Sequence, residues 1–178
     1  NGGCKIKITG NGSHQKGECV KVTLLIFALN EINGMKAVMP YIKKEWYDEL
    51  IIVDGGSTDG TIEYAKEHGY FIFVQNKKGC GAAFQEAMQK ITGDIVIIFT
   101  PDGNSIPEMI PRLAEKMKEG YDIVIASRYL EGAKSYDDDV ITAFGNRMLT
   151  GLVNLLFGAH ITDLLVMYRA FRKDIVNE

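Results

Sequence analysis

The sequence is poor in the residues that build cross-links and transition-metal sites. It contains three cysteines, Cys4, Cys19 and Cys80, and three histidines among 178 residues. The cysteines are odd in number and lack the spacing of metal ligands, so neither a disulfide framework nor a zinc site is indicated. This cysteine usage favours a reducing compartment.

Long hydrophobic runs and a strong net charge are also missing. No window approaches the roughly 18 consecutive apolar residues of a membrane span. The first 20 residues are polar and glycine-rich and show no signal-peptide pattern. The formal net charge of -3 provides no basic field, which excludes nucleic acid as an expected partner. We therefore expect a cytoplasmic protein.

Strand-like and helix-like patterns alternate from Lys21 onward. The predicted strands are Val22–Phe27, Glu49–Asp54, Tyr70–Gln75, Asp94–Phe99 and Tyr121–Ser127. The predicted helices cover 34–46 with a break at Pro40, Ser57 or Thr58 to His68, 82–91, 107–120 and 143–157. This alternation predicts an α/β domain with a mostly parallel sheet and helices on both faces.

Residues 1–20 have no sustained periodicity and are interpreted as a tail with one short strand at Lys5–Thr9. Residues 21–178 are predicted to form a single domain. The sequence has no initial methionine and ends directly after a strand-like run, so we expect this domain to be truncated at its C-terminus.

Polar residues and glycines follow each predicted strand. In chain order they are Asn30 and Glu31, Asp54, the segment 75–81, Asp102 and Arg128. Each alone is explained by a turn or by a solvated side chain. The carboxyl ends of parallel strands meet at one edge of a sheet, where ligands bind. Together these residues therefore predict a polar ligand site.

The residue types indicate a nucleotide and a metal ion. Asp102 can hold one divalent ion that keeps waters and shares phosphate oxygens, as Mg²⁺ does. Asp54 can accept hydrogen bonds from a base or ribose. The segment "FALNEING" after the first strand has a single glycine, which disfavours a nicotinamide-dependent oxidoreductase. The lack of a basic, glycine-rich loop there disfavours a nucleotidyltransferase.

Seven sequence blocks occur in a specific order. They are "FALNE", "ELIIVDGGSTDGT", "KKGCGAAFQEAM", "TGDIVIIFTPDGNSIPE", "IVIASR", "GNRMLTGLVNLLFG" and "ITDLLVMYRAFRK". Over about residues 21–175, this order resembles that of family-2 glycosyltransferases of the GT-A fold. The branch most resembled includes the dolichyl-phosphate and polyprenyl-phosphate mannose or glucose synthases.

The resemblance implies a reaction and its partners. A sugar would move with inversion from a UDP- or GDP-linked donor to an acceptor, a polyprenyl or dolichyl phosphate, with help from Mg²⁺ or Mn²⁺. Two alternatives stay open: a family member that uses a sugar hydroxyl as acceptor, and a catalytically weak module that binds nucleotide sugars. The resemblance also makes the cytoplasmic face of a membrane a plausible location.

The resemblance also implies roles for individual residues. The donor would contact Ala28, Asn30, Glu31, Asp54, Gly55, Gly79, Gly81 and Asp102. Asp102 would be the metal ligand, and Asp102, Arg128 and Asp163 would be catalytic. Arg128, Arg147, Asp163 and Arg169 would border the acceptor. Asp163 would serve as a base for a hydroxyl acceptor, and a purely structural hydrogen-bonding role is equally open.

Several positions depart from the family pattern. Phe27 replaces a proline, Gly55 stands where an acidic residue is common, and Cys80 replaces a lysine. Thr100 replaces the first aspartate of the D-x-D metal motif, which leaves Asp102 alone. One charged ligand suffices if the diphosphate supplies other oxygens.

Two further segments have alternative interpretations. Residues 143–157 are apolar at helical spacing and predict either a core helix or a surface that meets a membrane or a prenyl chain. The acidic run Asp137–Asp139 predicts a solvated loop that could close over the acceptor site.

Overall fold

The computed structural model describes residues 4–6, 20–103, 105–127, 140–158 and 161–176. Its strands are β1 (Cys4–Ile6), β2 (Val22–Ala28), β3 (Glu49–Asp54), β4 (Phe71–Val74), β5 (Ile95–Phe99), β6 (Ile123–Ile125) and β7 (Arg169–Arg172). The α-helices are α1 (Ile32–Val38), α2 (Thr61–Glu67), α3 (Cys80–Met88), α4 (Met109–Lys118) and α5 (Val140–Phe157). Short 3₁₀ helices cover Met39–Tyr41, Lys44–Trp46 and Lys173–Val176.

The described strands form one sheet in the order β1-β6-β7-β5-β2-β3-β4. Strands β5, β2, β3 and β4 pair in parallel, which confirms the predicted α/β class. Strand β7 falls in the strand-like run noted near the end of the sequence, which was not among the five strands predicted with bounds, and it lies antiparallel between β5 and β6. Because β6 is antiparallel to β7 in turn, β6 runs in the direction of β5. The carboxyl ends of β2, β3, β5 and β6 therefore share one edge.

Strands β2, β3 and β5 are buried on both faces, which explains their uninterrupted apolar runs. Leu24 and Ile26 of β2 pack into a large core that includes Met35 of α1 and Leu113 of α4. Leu25 faces the other way, into a second core with residues of α3. Helices consequently cover both faces, as the alternating pattern predicts. Among the helices of the described ranges, none combines the length and the apolar character needed to cross a bilayer.

The break at Pro40 agrees with its prediction, whereas the start of α2 does not. Pro40 lies in a 3₁₀ turn directly after α1, so it interrupts the helix as expected. The prediction that Ser57 or Thr58 caps α2 was wrong, because that helix begins at Thr61 after Gly60 and has no side-chain cap. The Ser57 hydroxyl is instead bonded to Asp54, 2.6 Å from its Oδ2.

The tail contributes to the sheet. Strand β1 pairs antiparallel with β6 and includes Lys5 and Ile6 of the strand predicted at Lys5–Thr9. The other predictions for residues 1–19 lie outside the described residues.

Candidate functional site

The loops after β2 and β3 are bonded to each other at the carboxyl edge of the sheet. The backbone N–H of Asn30 donates to the Ser57 hydroxyl at 2.8 Å, and the Asn30 Oδ1 accepts from the N–H of Thr58 at 2.9 Å. Asn30 has a positive φ of 56°, a conformation that asparagine tolerates better than most residues. The N–H of Gly55 also donates to the carbonyl of Ala28 at 2.9 Å. These two loops therefore form one shelf.

The side chain of Asp54 supports this shelf through hydrogen bonds to the loop after β3. Its side chain is fully buried at the end of β3. One carboxylate oxygen accepts the N–H groups of Gly56 and Ser57 at 2.8 and 2.7 Å, and the other accepts the Ser57 hydroxyl. The carboxylate thus fixes the turn that carries Ser57 and Thr58, the hydrogen-bond partners of Asn30. Its predicted contact with a base or ribose stays a prediction.

Glu31 lies directly before α1, and the neighbouring loop fixes its backbone. Its N–H donates to the Thr61 hydroxyl at 2.9 Å, and the next N–H, of Ile32, donates to Asp59 at 3.0 Å. Partial burial raises the pKa of the Glu31 carboxyl, and the nearby carboxylates of Asp102 and then Asp59 raise it further. The structure therefore brings Glu31 and Asp102 into electrostatic contact, although they are far apart in the sequence.

The first turn of α1 rests on the turn after β5. A Cβ atom on Gly34 would lie 1.7 Å from the carbonyl oxygen of Pro101 and 3.2 Å from a carboxylate oxygen of Glu31. Only a residue without a side chain permits such close packing. The turn that carries Asp102 is thereby held against the loop that carries Glu31.

Thr100 has a structural partner in this turn. Its hydroxyl lies 3.1 Å from that of Ser105, a buried residue, so the two close the loop around the exposed Asp102. In the described part of the chain, no group of three or more acidic, histidine or cysteine side chains could hold a metal ion by itself. A divalent ion here would need further oxygen ligands, from water or from a substrate.

The glycine-containing loop after β4 joins the same edge. The N–H of Gln75 donates to the Asp54 carbonyl at 2.9 Å. Glu86 of α3 holds the loop by accepting the N–H groups of Asn76 and Lys77. Gly79 has a φ of 109° and precedes α3, so the chain turns there in a conformation that favours glycine. Gly81 has open space around it.

The predicted acceptor side is built around a second buried carboxylate. Asp163 is fully buried, and its Oδ1 accepts from the Asn146 amide of α5 at 2.6 Å and from the N–H of Val166 at 3.3 Å. Thr150 of α5 donates to the Asn146 Oδ1 at 3.2 Å. These hydrogen bonds give Asp163 a structural role, and its predicted role as a base stays a prediction.

Arg169 lies at the start of β7 and holds the segment before it. Its guanidinium donates to the carbonyls of Leu164 and Val166. Burial lowers the pKa of Arg169, and the carboxylate of Asp163 counteracts this effect. Arg169 therefore orders the segment that precedes it, and its predicted place beside the acceptor stays a prediction.

The predicted donor side and the predicted acceptor side of the site meet at β5. Arg169 is paired with Ile98 of β5, and the Tyr168 hydroxyl donates to the carbonyl of Ile106 at 2.8 Å, just beyond the Asp102 turn. Arg147 is exposed on α5. Arg128 and the run Asp137–Asp139 lie outside the described residues, so the predictions for them stay predictions.

Sequence reasoning missed the roles of Gly34 and Asn146. Gly34 stands at the start of the predicted helix and inside the observed α1, and a glycine that caps neither end of a helix is an available signal of close packing. The asparagine and threonine of α5 gave no such signal, because their burial depends on which face of the helix meets the domain.

A family model for "Glycosyl transferase family 2" matches residues 28–178. The chain is 30% identical over 157 residues to the glycosyltransferase AglJ of Haloferax volcanii, covering 86% of this chain and 50% of that protein. It is 28% identical over 136 residues to the undecaprenyl-phosphate 4-deoxy-4-formamido-L-arabinose transferase of Klebsiella pneumoniae, covering 72% and 40%. The chain thus spans about half the length of these relatives or less.

Solved structures show the same fold. A crystal structure of glucosyl-3-phosphoglycerate synthase from Mycobacterium tuberculosis, in complex with Mn²⁺, uridine-diphosphate-glucose and phosphoglyceric acid, matches with a TM-score of 0.67 at 22% identity. The match covers 88% of this chain and 58% of that one. The fold is that of the GT-A glycosyltransferases. The sequence blocks, the sheet and the family model agree, and the chain belongs to glycosyl transferase family 2.

Proposed function

We propose that the chain is the catalytic region of an inverting glycosyltransferase that moves a sugar from a nucleoside diphosphate sugar to a polyprenyl phosphate. The observation that carries the proposal is the packing of the Asp102 turn against the Glu31 loop through Gly34. This packing sets the exposed Asp102 beside the shelf formed by the loops after β2 and β3.

A uridine donor and a lipid phosphate acceptor are supported by the relatives. The mycobacterial synthase was crystallised with uridine-diphosphate-glucose, and the Klebsiella relative is named for transfer involving undecaprenyl phosphate. We extend both features to this chain because the region that the family model matches, residues 28–178, includes the shelf, the Asp102 turn and the segment 163–169.

The residues present fit a divalent metal ion that shares its coordination with a substrate. The candidate donors are the carboxylate oxygens of Asp102 and Glu31, which are the hard ligands that Mg²⁺ and Mn²⁺ prefer. Two carboxylates are too few to bind such an ion alone, and the oxygens of a diphosphate complete the set. When bound, the ion would neutralise charge on the departing diphosphate.

The reaction exchanges one bond to the anomeric carbon for another. An oxygen of the acceptor phosphate forms the new bond as the bond to the diphosphate oxygen breaks, and the leaving diphosphate keeps the electron pair. A phosphate acceptor is already ionised near neutral pH, so no base has to remove a proton. The burial of Asp163 is compatible with this acceptor and less so with a hydroxyl acceptor.

Asp102→Ala tests the proposal. Calorimetry with UDP and with GDP, each with and without Mn²⁺, should show metal-dependent binding to the wild type and its loss in the variant. Glu115→Ala is the matched control, because Glu115 is an exposed carboxylate on α4. Transfer of radiolabelled sugar to undecaprenyl phosphate should follow the same pattern. Equal binding and transfer by Asp102→Ala would refute the role of Asp102.

A second candidate is a nucleotide-sugar binding module without catalytic turnover. The presence of Thr100, bonded to Ser105 in place of a second metal-binding carboxylate, favours it. Metal-dependent binding of UDP-sugars without transfer or hydrolysis would support the module over the enzyme.

A further inference from the structure

The side chain of Tyr168 contacts both ends of the turn that carries Asp102. Its ring packs edge-on against the ring of Phe99, the last residue of β5, with 5.5 Å between the ring centroids and 86° between the ring planes. Its hydroxyl donates to the carbonyl of Ile106 at 2.8 Å. Phe99 precedes the turn and Ile106 follows it, so one side chain holds the turn at both ends.

The carbonyl of Ile106 marks the point at which the turn passes into α4. It also accepts the N–H of Met109, the first residue of that helix, at 3.1 Å. A carbonyl oxygen has two lone pairs, so both hydrogen bonds can form at once. The Met109 bond is local, whereas the Tyr168 bond joins residues that are 62 apart in the sequence. The tyrosine therefore ties the end of the turn to the sheet, because it directly precedes β7.

The surroundings of Tyr168 keep its hydroxyl protonated. The residue is 6% exposed. Burial raises the pKa of the hydroxyl, and the nearby carboxylate of Glu108 raises it further. The group is therefore a hydrogen-bond donor at neutral pH. A phenylalanine would fill the same space without donating, so packing alone does not require a tyrosine here.

The main chain of Tyr168 is fixed on the predicted acceptor side. Its carbonyl accepts the N–H of Ala126, just beyond the end of β6, at 3.0 Å. The next residue, Arg169, donates to the carbonyls of Leu164 and Val166 and orders the segment before it. Tyr168 is consequently bonded to the predicted acceptor side through its carbonyl and to the end of the donor-side turn through its hydroxyl.

We propose that Tyr168 is a positioning residue for metal-dependent donor binding, whose hydroxyl holds the Asp102 turn at a fixed distance from the predicted acceptor segment. The Gly34 contact fixes this turn from the side of α1, and Tyr168 fixes it from the side of β7. The inference rests on the proposed function, since it concerns the binding of a nucleoside diphosphate and its ion. Tyr168 acts in it through Asp102.

The size of the expected effect follows from the one hydrogen bond involved. Without the hydroxyl, the turn can leave the arrangement that binds the ion, and the apparent affinity falls with the population of that arrangement. Loss of one hydrogen bond limits this decrease to about three- to tenfold. Calorimetry of Tyr168→Phe should therefore show a dissociation constant for UDP in the presence of Mn²⁺ that is higher by about this factor. UDP binding without Mn²⁺ should change less, because the turn supplies the metal ligand.

Amide hydrogen exchange tests the turn in the absence of donor and metal. Peptides that cover residues 99–110 should exchange faster in Tyr168→Phe than in the wild type, because the hydroxyl no longer holds the end of the turn. Peptides of α2 and β3 should exchange at the wild-type rate.

Tyr64→Phe is the matched control. Tyr64 is 8% exposed and belongs to the same core as Tyr168, so the substitution removes the same atom from another buried tyrosine. Burial raises the pKa of Tyr70, and the nearby Tyr64 raises it further. Because Tyr70 directly precedes β4, Tyr64 lies toward the amino edge of the sheet, away from the Asp102 turn. Tyr64→Phe should leave the exchange of the turn and the binding of UDP with Mn²⁺ unchanged.

Transfer of sugar to undecaprenyl phosphate separates positioning from general damage. In Tyr168→Phe, the Mn²⁺ concentration for half-maximal transfer should rise by about three- to tenfold. At saturating Mn²⁺, kcat should return close to the wild-type value, since excess ion restores the bound state. A loss of folded protein would instead lower kcat at every Mn²⁺ concentration.

The outcomes separate this inference from the proposed function. Wild-type affinity for UDP with Mn²⁺ in Tyr168→Phe would overturn the inference and leave the proposed function intact, even if the turn exchanged faster. A kcat defect that saturating Mn²⁺ does not relieve would overturn it as well. Absence of UDP binding and of transfer in the wild type would refute the proposed function, and the positioning role would fail with it.

Discussion

Gly34 and Pro101 are packed so closely that a Cβ atom on Gly34 would lie 1.7 Å from the Pro101 carbonyl oxygen. This contact joins the first helix to the turn after the central strand β5. Glu31 precedes the helix and Asp102 follows the proline, so one backbone contact sets the relative position of the two carboxylates.

Gly34→Ala should therefore destabilise the protein and weaken donor binding together. The new methyl group would overlap the carbonyl oxygen of Pro101, so either α1 or the Asp102 turn must move. We expect a loss of about 1–3 kcal/mol in the free energy of unfolding, the usual cost of overpacking. Urea denaturation measures the stability, and calorimetry with UDP and Mn²⁺ measures the binding.

Gly151→Ala is the control for this substitution. Gly151 lies inside α5, and no atom lies within 4 Å of the position that its Cβ would take. Alanine there should be neutral or stabilising by up to about 1 kcal/mol, because it favours the helix. A Gly34→Ala protein that matched Gly151→Ala in stability and kept its donor affinity would contradict the role of the Gly34 contact.

Glu31→Gln should stabilise the free protein near neutral pH while weakening metal-dependent donor binding. Burial and the neighbouring Asp102 raise the pKa of Glu31, so its ionised form is unfavourable in the folded state. A raised folded pKa gives stability that is present at low pH and is lost as the pH rises through it. The advantage of glutamine should therefore be present at pH 7 and absent near pH 3, as thermal unfolding at the two pH values would show.

Asp59→Asn should have the opposite effect on stability. The Asp59 carboxylate accepts the hydroxyl and the N–H of Thr61 and the N–H of Ile32. Desolvation alone would raise its pKa, and these hydrogen bonds outweigh that effect and lower it. Its ionised form therefore stabilises the fold above its titration range. If Glu31→Gln lowered the melting temperature at pH 7, the assignment of repulsion to Glu31 would be wrong, and if Asp59→Asn raised it, the stabilising role of Asp59 would be wrong.

The parallel half of the fold could be predicted from the sequence because its strands are continuous apolar runs. Residues such as Leu24 and Leu25 are buried on opposite faces, and that pattern needs helices on both sides. Strand β7 could not be predicted in the same way. It has four residues with arginine at each end, and it exists because β5 and β6 both offer it partners.

The site could be predicted as a set of strand-end residues, but their individual roles could not. Asp54 was expected to face a ligand, and the structure shows that its carboxylate is buried and bonded within its own turn. A sequence does not show whether a carboxylate accepts hydrogen bonds from the backbone or from a ligand. Helix α5 shows a related limit, since its apolar residues Phe144 and Leu155 are exposed, and periodicity identifies a helix without revealing which side faces outward.

Asn146 and Asp163 should be strongly coupled in stability. Both are fully buried and are joined by a 2.6 Å hydrogen bond. Removing either partner leaves the other polar group buried without it, at a cost of about 1–3 kcal/mol. In a double-mutant cycle, Asn146→Ala and Asp163→Ala should therefore cost less together than the sum of their separate effects. Additive losses in urea denaturation would show that the two side chains act independently.

Glu49→Gln should lower stability at neutral pH without affecting donor binding. Glu49 begins β3 at the amino edge of the sheet, where its carboxylate accepts from the Thr23 hydroxyl at 2.6 Å and from the N–H of Thr92 at 3.0 Å. Burial would raise its pKa, but the hydrogen bonds from Thr23 and Thr92 outweigh that effect and lower it.

A lowered folded pKa gives stability that is present above the unfolded pKa and is lost as the pH falls through the folded one. The substitution should therefore cost about 1 kcal/mol at pH 7, a value reduced by partial exposure, and the wild type and variant should converge below pH ~3. Urea denaturation across this range measures the effect, with Glu115→Gln as an exposed control. A constant difference between wild type and variant from pH 7 to pH 3 would mean that the ionised carboxylate is not the stabilising species, because only a charge-dependent hydrogen bond disappears on protonation.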